Sequence, residues 1–316
     1  MTNVLILDEH ADWYARELSR ERQDFTFYAA KTPEDAKAQA AQSEILIGLA
    51  PRIPADLVAE MGKLKWVQAL TTGVDNLQSM QELPEDVALT SCGGFHGPQM
   101  SELAVMLMLA CARRLPQMIT DQRAGKWNRW EQPLLRDKTV CIIGLGSIAE
   151  YLAGLCAAFG MRVTGVSDGR SEAPGIDHIY PRARIADAAA EADFLTVLVP
   201  YSPRTHHIVD ASVLAAMKLS AVLVNIARGG CVDEDALLDS LRNGRIAGAG
   251  LDVFAMEPLP ADSPFRSLPN VIITPHIGGY ADVYRQQALP ILIANLDAYA
   301  KGGTKALPMI NRGPQP

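Results

Sequence analysis

Three residues suited to anion binding or proton transfer follow apolar runs in the second half of the chain. Arg228 follows VLVNIA at 222–227, Glu257 lies in LDVFAMEPL at 251–259, and His276 follows VIITP at 271–275. A guanidinium presents a planar fork of donors matched to a carboxylate, and an imidazole can give or take a proton. A neighbouring carboxylate would orient that ring and favour its charged form. Singly, each has an ordinary reading: a turn arginine, a loop charge, a strand-end histidine. The carboxyl ends of parallel strands are where open α/β sheets place their ligands, and all three residues fall near such ends.

Upstream lies TVCIIGLGSIAEYLAG at 139–154, which reads as a strand, a glycine-rich turn and a helix start. Gly144 permits the tight turn, Gly146 lets the backbone approach a pyrophosphate, and Ala149 in the third position allows close helix–strand packing. Free amides at the helix start, those of Ser147 and Ile148, then meet the phosphates with help from the helix dipole. The next strand, 162–166, ends at Asp168. An acidic residue there can accept hydrogen bonds from both adenosine ribose hydroxyls and would repel a 2′-phosphate. The pattern points to NAD. Arg170 could pair with a 2′-phosphate, which keeps NADP open.

The elements that must position these groups are legible as alternation. Apolar runs at 4–7, 25–28, 45–47, 66–70 and 87–90 form a first series of strands. A second series follows at 140–143, 163–166, 194–199, 222–226, 247–251 and 271–274. The second series is apolar on both faces, as parallel strands covered on each side by helices must be. Helical patterns lie between the runs, so the fold class is α/β with right-handed crossovers. A helix over 99–114 joins the two series, with Glu102 in its first turn and Arg113 and Arg114 in its last, complementing the dipole. Its run LAVMLMLACA is apolar all round, so it is buried within a domain, between domains or between subunits. The stretch 120–136, carrying Trp127 and Trp130, has no clear period and reads as a loop or arm. The tail 311–316 is expected to fray.

With 316 residues, 48% hydrophobic and 21% charged, the chain has material for one or two globular domains, and disorder is excluded as its main state. The 29 Lys+Arg against 36 Asp+Glu give a formal charge of −7, so no overall attraction to nucleic acid or to acidic membranes is expected. The longest apolar run, ten residues, is about half of the ~20 needed to span a bilayer. The start, MTNVLILD, has no basic residues and reads as a first strand rather than a signal peptide. Five cysteines with no C-x-x-C pair fit reduced thiols in a cytoplasmic protein and argue against a structural zinc. His206 and His207 read as a solvated loop pair, His96 as a hydrogen-bonding residue near a hinge, and Asp233, Glu234 and Asp235 as an acidic helix start.

In LKWVQALTTGVDN at 64–76, FHGPQMSELA at 95–104, the glycine fingerprint, VPYSPRT at 199–205, NIARGG at 225–230, GLDVFAMEP at 250–258 and TPHIG at 274–278, the chain resembles the D-isomer-specific 2-hydroxyacid dehydrogenase family. The resemblance runs over nearly the whole length. It implies a Rossmann-type doubly wound nucleotide domain over 97–280. A flavodoxin-like α/β substrate domain would be built from 1–96 and 281–316, with the active site in the cleft between the two. The apolarity of the 99–114 helix and the resemblance together point to a homodimer through that helix and the Trp-bearing arm; Trp127 or Trp130 either closes the pocket or packs within the arm.

The catalytic set implied is Arg228, Glu257 and His276. His276 would protonate the carbonyl oxygen of a 2-oxo acid, Glu257 would hold the imidazole, and Arg228 would grip the substrate carboxylate. Thr72, Gly73 and Val74 map to the family's carboxylate-binding loop. Asp252 maps to a nicotinamide carboxamide contact, and Val199, Pro200, Thr205, Ile226, Ala227, Gly278 and Gly279 map to further cofactor contacts. Gly279 stands where many members have Ser, so a side-chain contact is missing there. The end of the chain leaves no room for the regulatory domain of many phosphoglycerate dehydrogenases, which lowers the odds of serine biosynthesis. Reduction of a small 2-oxo acid such as glyoxylate, hydroxypyruvate or phenylpyruvate is the reading these residues favour. A nucleotide-sensing corepressor-like protein and a phosphite dehydrogenase are the alternatives.

Overall fold

Each apolar run of the two series forms a strand in the computed structural model, which describes residues 1–310; the expected fraying of 311–316 lies outside the described residues. The chain divides into one unit of Met1–Phe95 with the segment from Asp282 onward, and another of His96–Ala281.

In the first unit, β1 (Thr2–Leu7), β2 (Phe25–Ala30), β3 (Ile45–Gly48), β4 (Trp66–Ala69) and β5 (Ala88–Ser91) pair in the order β2-β1-β3-β4-β5, all parallel. This is the flavodoxin-like order, with its reversal between β1 and β3. Side chains alternate between two buried faces. Val4 and Ile6 pack with Trp66 and with Leu292 and Leu296 of the closing helix Tyr284–Gly302, while Leu5 and Leu7 pack with Leu57 and Leu77 on the other side. A buried polar chain ties that helix down. Asn295 Nδ2 donates to Gln68 Oε1 at 2.7 Å, Thr90 Oγ1 donates to the same oxygen at 2.7 Å, and Trp66 Nε1 donates to Thr90 Oγ1 at 2.7 Å. Each partner offsets the desolvation of the next, which a buried amide requires.

The second unit holds β6 (Thr139–Ile143), β7 (Arg162–Val166), β8 (His178–Tyr180), β9 (Phe194–Val197), β10 (Val222–Asn225), β11 (Gly248–Leu251) and β12 (Val271–Ile273). Their order is β12-β11-β10-β9-β6-β7-β8, again all parallel. The winding reverses between β6 and β9, and open α/β sheets bind ligands outside the carboxyl ends of strands at such a point. β8 has no counterpart in the sequence reading; three residues at a sheet edge give no period to detect.

The joining helix spans Gly97–Ala112 and is buried within the second unit, where Leu103, Ala104, Leu107 and Met108 pack with Val140, Ile142 and Leu152. Its run at 103–112 is apolar all round but not buried all round: Met106 is 46% exposed. The two arginines do not sit in its last turn. Arg113 is its C-cap, and Arg114 takes a left-handed conformation (φ 55°) that turns the chain. The arm reading of 120–136 is corrected in part, because a second helix, Leu115–Arg123, follows at 62° to the first. Pro116 in its first turn, the Thr120 hydroxyl donating to the Pro116 carbonyl (2.8 Å), and Gln117 donating to Asp121 (2.8 Å) stabilise it without an apolar period. Beyond it, 126–134 lacks regular structure, and Trp127 is 93% exposed.

Among the described residues no single helix is long and apolar enough to cross a membrane. Among the described residues no cysteine forms a disulfide. Burial pushes the thiols of Cys92, Cys111, Cys141 and Cys156 up to about 12, so they pack as small apolar groups.

Candidate active site

β10, β11 and β12 are neighbours, and each delivers one charged or titratable residue beyond its carboxyl end: Arg228, Glu257 and His276. Glu257 Oε2 lies 2.6 Å from His276 Nδ1, and Glu257 Oε1 accepts the Phe254 amide at 2.8 Å. Partial burial pushes the Glu257 carboxyl up. The hydrogen bonds from His276 and Phe254, with the charges of His276 and Arg228, outweigh it and hold the group below the usual carboxylate range. An ionised carboxylate only accepts, so His276 Nδ1 carries the proton toward it.

His276 adopts φ 53°, a left-handed conformation uncommon for a side chain of this size. Asp252, 2% exposed, holds the turn in that shape. The His276 amide donates to the Asp252 carbonyl at 2.8 Å. The Asp252 carboxylate accepts from the Thr274 hydroxyl at 2.5 Å and from the amides of Ile277 (3.1 Å) and Gly278 (3.0 Å). Asp252 therefore positions the histidine turn, a role the sequence did not reveal. Gly278 must lack a side chain, since a Cβ would lie 2.6 Å from Leu103 and 3.0 Å from Asp252 Oδ2. At Gly279 a Cβ would stand 3.2 Å from the His96 ring. His96 is the N-cap residue of helix Gly97–Ala112, and burial pulls its imidazole down to about 4.

Arg228 is held by its own loop. Its Nη1 donates to the Ala227 carbonyl at 2.6 Å, and Asn225 braces the turn by donating to the Arg228 carbonyl (3.0 Å) and accepting the Ala227 amide (3.1 Å). Ile226 and Ala227 are buried.

The glycine turn lies at the reversal point. Gly144 has φ 98° and packs so closely on the end of β9 that a Cβ would lie 2.7 Å from Val199 Cγ1. Gly146 has open space where a Cβ would stand. The helix Ser147–Ala158 that follows has no side-chain cap, which leaves its first-turn amides, Ser147 and Ile148 among them, uncapped by the chain itself. Ala149 is buried against the sheet. Asp168, past the end of β7, is exposed; its Oδ1 accepts the Arg182 amide at 2.8 Å, and Arg204 stands 3.8 Å from its Oδ2. Arg170 is turned to the helix start, pairing with Glu150 (2.7 Å) and donating to the Leu145 carbonyl (3.1 Å). These residues fit a dinucleotide: an uncapped helix start for the pyrophosphate and a carboxylate for a ribose. The Thr205 hydroxyl is spent within its own turn, donating to the Pro200 carbonyl (2.7 Å) and accepting the Ser202 amide (2.7 Å).

In the first unit, the turn after β4 is braced by Thr71 donating to the Gly73 carbonyl (2.7 Å) and Thr72 donating to the Cys92 carbonyl (2.9 Å). Val74 is buried in the core, so this turn offers backbone amides rather than side chains. His206 and His207 stack at 3.8 Å, and the described residues hold no group of three or more His, Cys, Asp or Glu able to bind a metal ion.

Residues 105–278 match the family described as D-isomer specific 2-hydroxyacid dehydrogenase, NAD binding domain. The chain is 34% identical over 275 residues to glyoxylate/hydroxypyruvate reductase B of Pectobacterium carotovorum, covering 84% of this chain and 85% of that one. It is 31% identical over 310 residues to D-3-phosphoglycerate dehydrogenase of Methanocaldococcus jannaschii, covering 96% of this chain but 58% of that longer one. The crystal structure of a D-isomer specific 2-hydroxyacid dehydrogenase family protein from Aeromonas salmonicida superposes with a TM-score of 0.89 at 32% identity, over 98% of this chain and 99% of that one. More distant solved relatives carry NADPH or NAD in their complexes.

Proposed function

The chain belongs to the D-isomer specific 2-hydroxyacid dehydrogenase family, and we propose that it reduces a small 2-oxo acid, of the glyoxylate, hydroxypyruvate or phenylpyruvate kind, to the D-2-hydroxy acid. The observation that carries this reading is the 2.6 Å pairing of Glu257 with His276 beyond β12, with Arg228 beyond the next strand but one in the same sheet. When bound, the nicotinamide cofactor supplies the hydride.

The rest is done by the chain. Glu257 keeps the His276 ring oriented, with Nε2 free to donate a proton to the carbonyl oxygen as negative charge develops there. Arg228 grips the substrate carboxylate with its fork and polarises the carbonyl. Asp252 accepts a hydrogen bond from the carboxamide of the nicotinamide while holding the His276 turn. Gly144, Gly146, Ser147 and Ile148 receive the pyrophosphate; Val199, Pro200, Thr205, Ile226, Ala227, Gly278 and Gly279 complete the cofactor's surroundings.

NAD is the preferred cofactor, because Asp168 would repel a 2′-phosphate and Arg170 is engaged by Glu150 and the Leu145 carbonyl. A second copy of the chain covers the exposed apolar side chains of Met106, Leu115, Ile119, Trp127 and Leu134, giving a homodimer. Cysteines outside any disulfide suit a cytoplasmic setting.

The test is the loss of NADH absorbance, and separately NADPH, with a panel of 2-oxo acids. Turnover with at least one supports the reading and names the substrate. Saturable cofactor binding without turnover on any 2-oxo acid would move the assignment to a nucleotide sensor, and reduction of NAD by phosphite would move it to a phosphite dehydrogenase.

A further inference from the structure

A second carboxylate stands behind the Glu257–His276 pair. Glu234, the first residue of the helix Glu234–Arg242, accepts the Ala255 amide on its Oε1 at 2.6 Å. The amide just before it, that of Phe254, is the one donated to Glu257 Oε1. Consecutive amides of one turn are thus held by two carboxylates, one facing the reaction and one behind it. Gly229 packs closely on the same turn: a Cβ there would lie 1.9 Å from the Phe254 carbonyl carbon and 2.1 Å from the Ala255 nitrogen. The peptide joining Phe254 to Ala255 is therefore held both by the backbone next to Arg228 and by the Glu234 side chain.

The helix does not need this carboxylate for itself. Its N-cap is Asp233, whose Oδ1 accepts the Ala236 amide at 3.0 Å. Nor is the placement favourable in isolation. Burial, with the like charges of Asp235 and Glu257, raises the Glu234 carboxyl above its ordinary range, against the Ala255 amide and the attraction of His207. A half-buried carboxylate kept beside another carboxylate for the sake of one loop amide has a reason in that loop.

We propose that Glu234 is a positioning residue: by fixing the peptide between Phe254 and Ala255 it sets where the Glu257 carboxylate stands and so how the His276 ring is aimed. Its kinetic consequence rests on the reductase reading; its structural consequence does not. A small displacement of a proton donor costs far more rate than binding, so the effect falls on kcat rather than on KM for the cofactor.

The test compares Glu234→Ala with Glu234→Gln, whose amide oxygen still accepts from Ala255. The ring nitrogen and proton resonances of His276 are recorded without substrate, alongside kcat and KM. Glu234→Ala is expected to shift the His276 ring signals and lower kcat about tenfold with KM for the cofactor near wild type, and Glu234→Gln to restore most of both. If Glu234→Ala does not fold, Glu234→Asp, one methylene too short to reach the Ala255 nitrogen, takes its place. Unchanged ring signals and kcat in the truncated variant would overturn the proposal, as would a Gln variant as impaired as the truncation. Absence of turnover in the wild type would remove the reductase reading alone, because the ring signals still decide the role of Glu234.

Discussion

Glu257 Oε2 stands 2.6 Å from His276 Nδ1, which leaves Nε2 as the ring nitrogen turned away from the carboxylate. Two further constraints hold this pair: Phe254 donates to the second oxygen of Glu257, and Asp252 shapes the left-handed turn at His276. The ring is thus held in place before any substrate arrives, as the proposed role of His276 as proton donor requires.

Arg228→Lys should raise KM for the 2-oxo acid and lower kcat/KM by about 10²–10³-fold, because a point charge cannot reproduce the two-pronged contact. Steady-state kinetics with cofactor saturating would check this. A Lys variant with wild-type kcat/KM would remove Arg228 from the substrate carboxylate.

Gly229→Ala should destabilise the protein by ~1–3 kcal/mol or more, since backbone atoms of Phe254 and Ala255 occupy the space of the new methyl. Thermal unfolding would show a Tm lowered by several degrees. Full stability would mean that the two turns are not packed as described.

These results also mark what was legible in the sequence. The fingerprint at Gly144–Ala149 was, because a tight turn and a close helix approach restrict residue type locally. Arg228, Glu257 and His276 stood out only as polar residues near the ends of apolar runs; that they form one set was implied by the family resemblance alone. Glu234 was not legible: an acid in a helix's first turn is ordinary, and its partner Ala255 lies 21 residues away. Asp252 was read as a ligand contact, since nothing local shows that its carboxylate gathers Thr274, Ile277 and Gly278. The helix Leu115–Arg123 was missed because side-chain-to-backbone bonds, rather than an apolar stripe, support it.

His96 makes stability depend on pH. Burial lowers its imidazole from 6.5 to about 4 in the folded chain, so between those values the unfolded chain binds the extra proton more readily. Stability should fall as pH drops from about 6.5 to about 4, by roughly 2–3 kcal/mol from this group. Denaturant unfolding across that window should show a flatter profile in His96→Gln than in the wild type. Parallel profiles would mean that His96 titrates as an exposed histidine does.

Asp168→Ser should raise the NADPH-to-NADH ratio of kcat/KM by about tenfold, the equivalent of ~1.4 kcal/mol, by removing a negative charge from the ribose end. A wild type that already prefers NADPH would contradict the role given to Asp168.

The central claim is that His276 supplies the proton, and the most direct measurement is NADH oxidation by the wild type and by His276→Asn on the best 2-oxo acid. NADH affinity is to be measured on both by fluorescence titration. A loss of about 10²–10⁴-fold in kcat with NADH affinity near wild type is expected. A variant that turns over at the wild-type rate would contradict it.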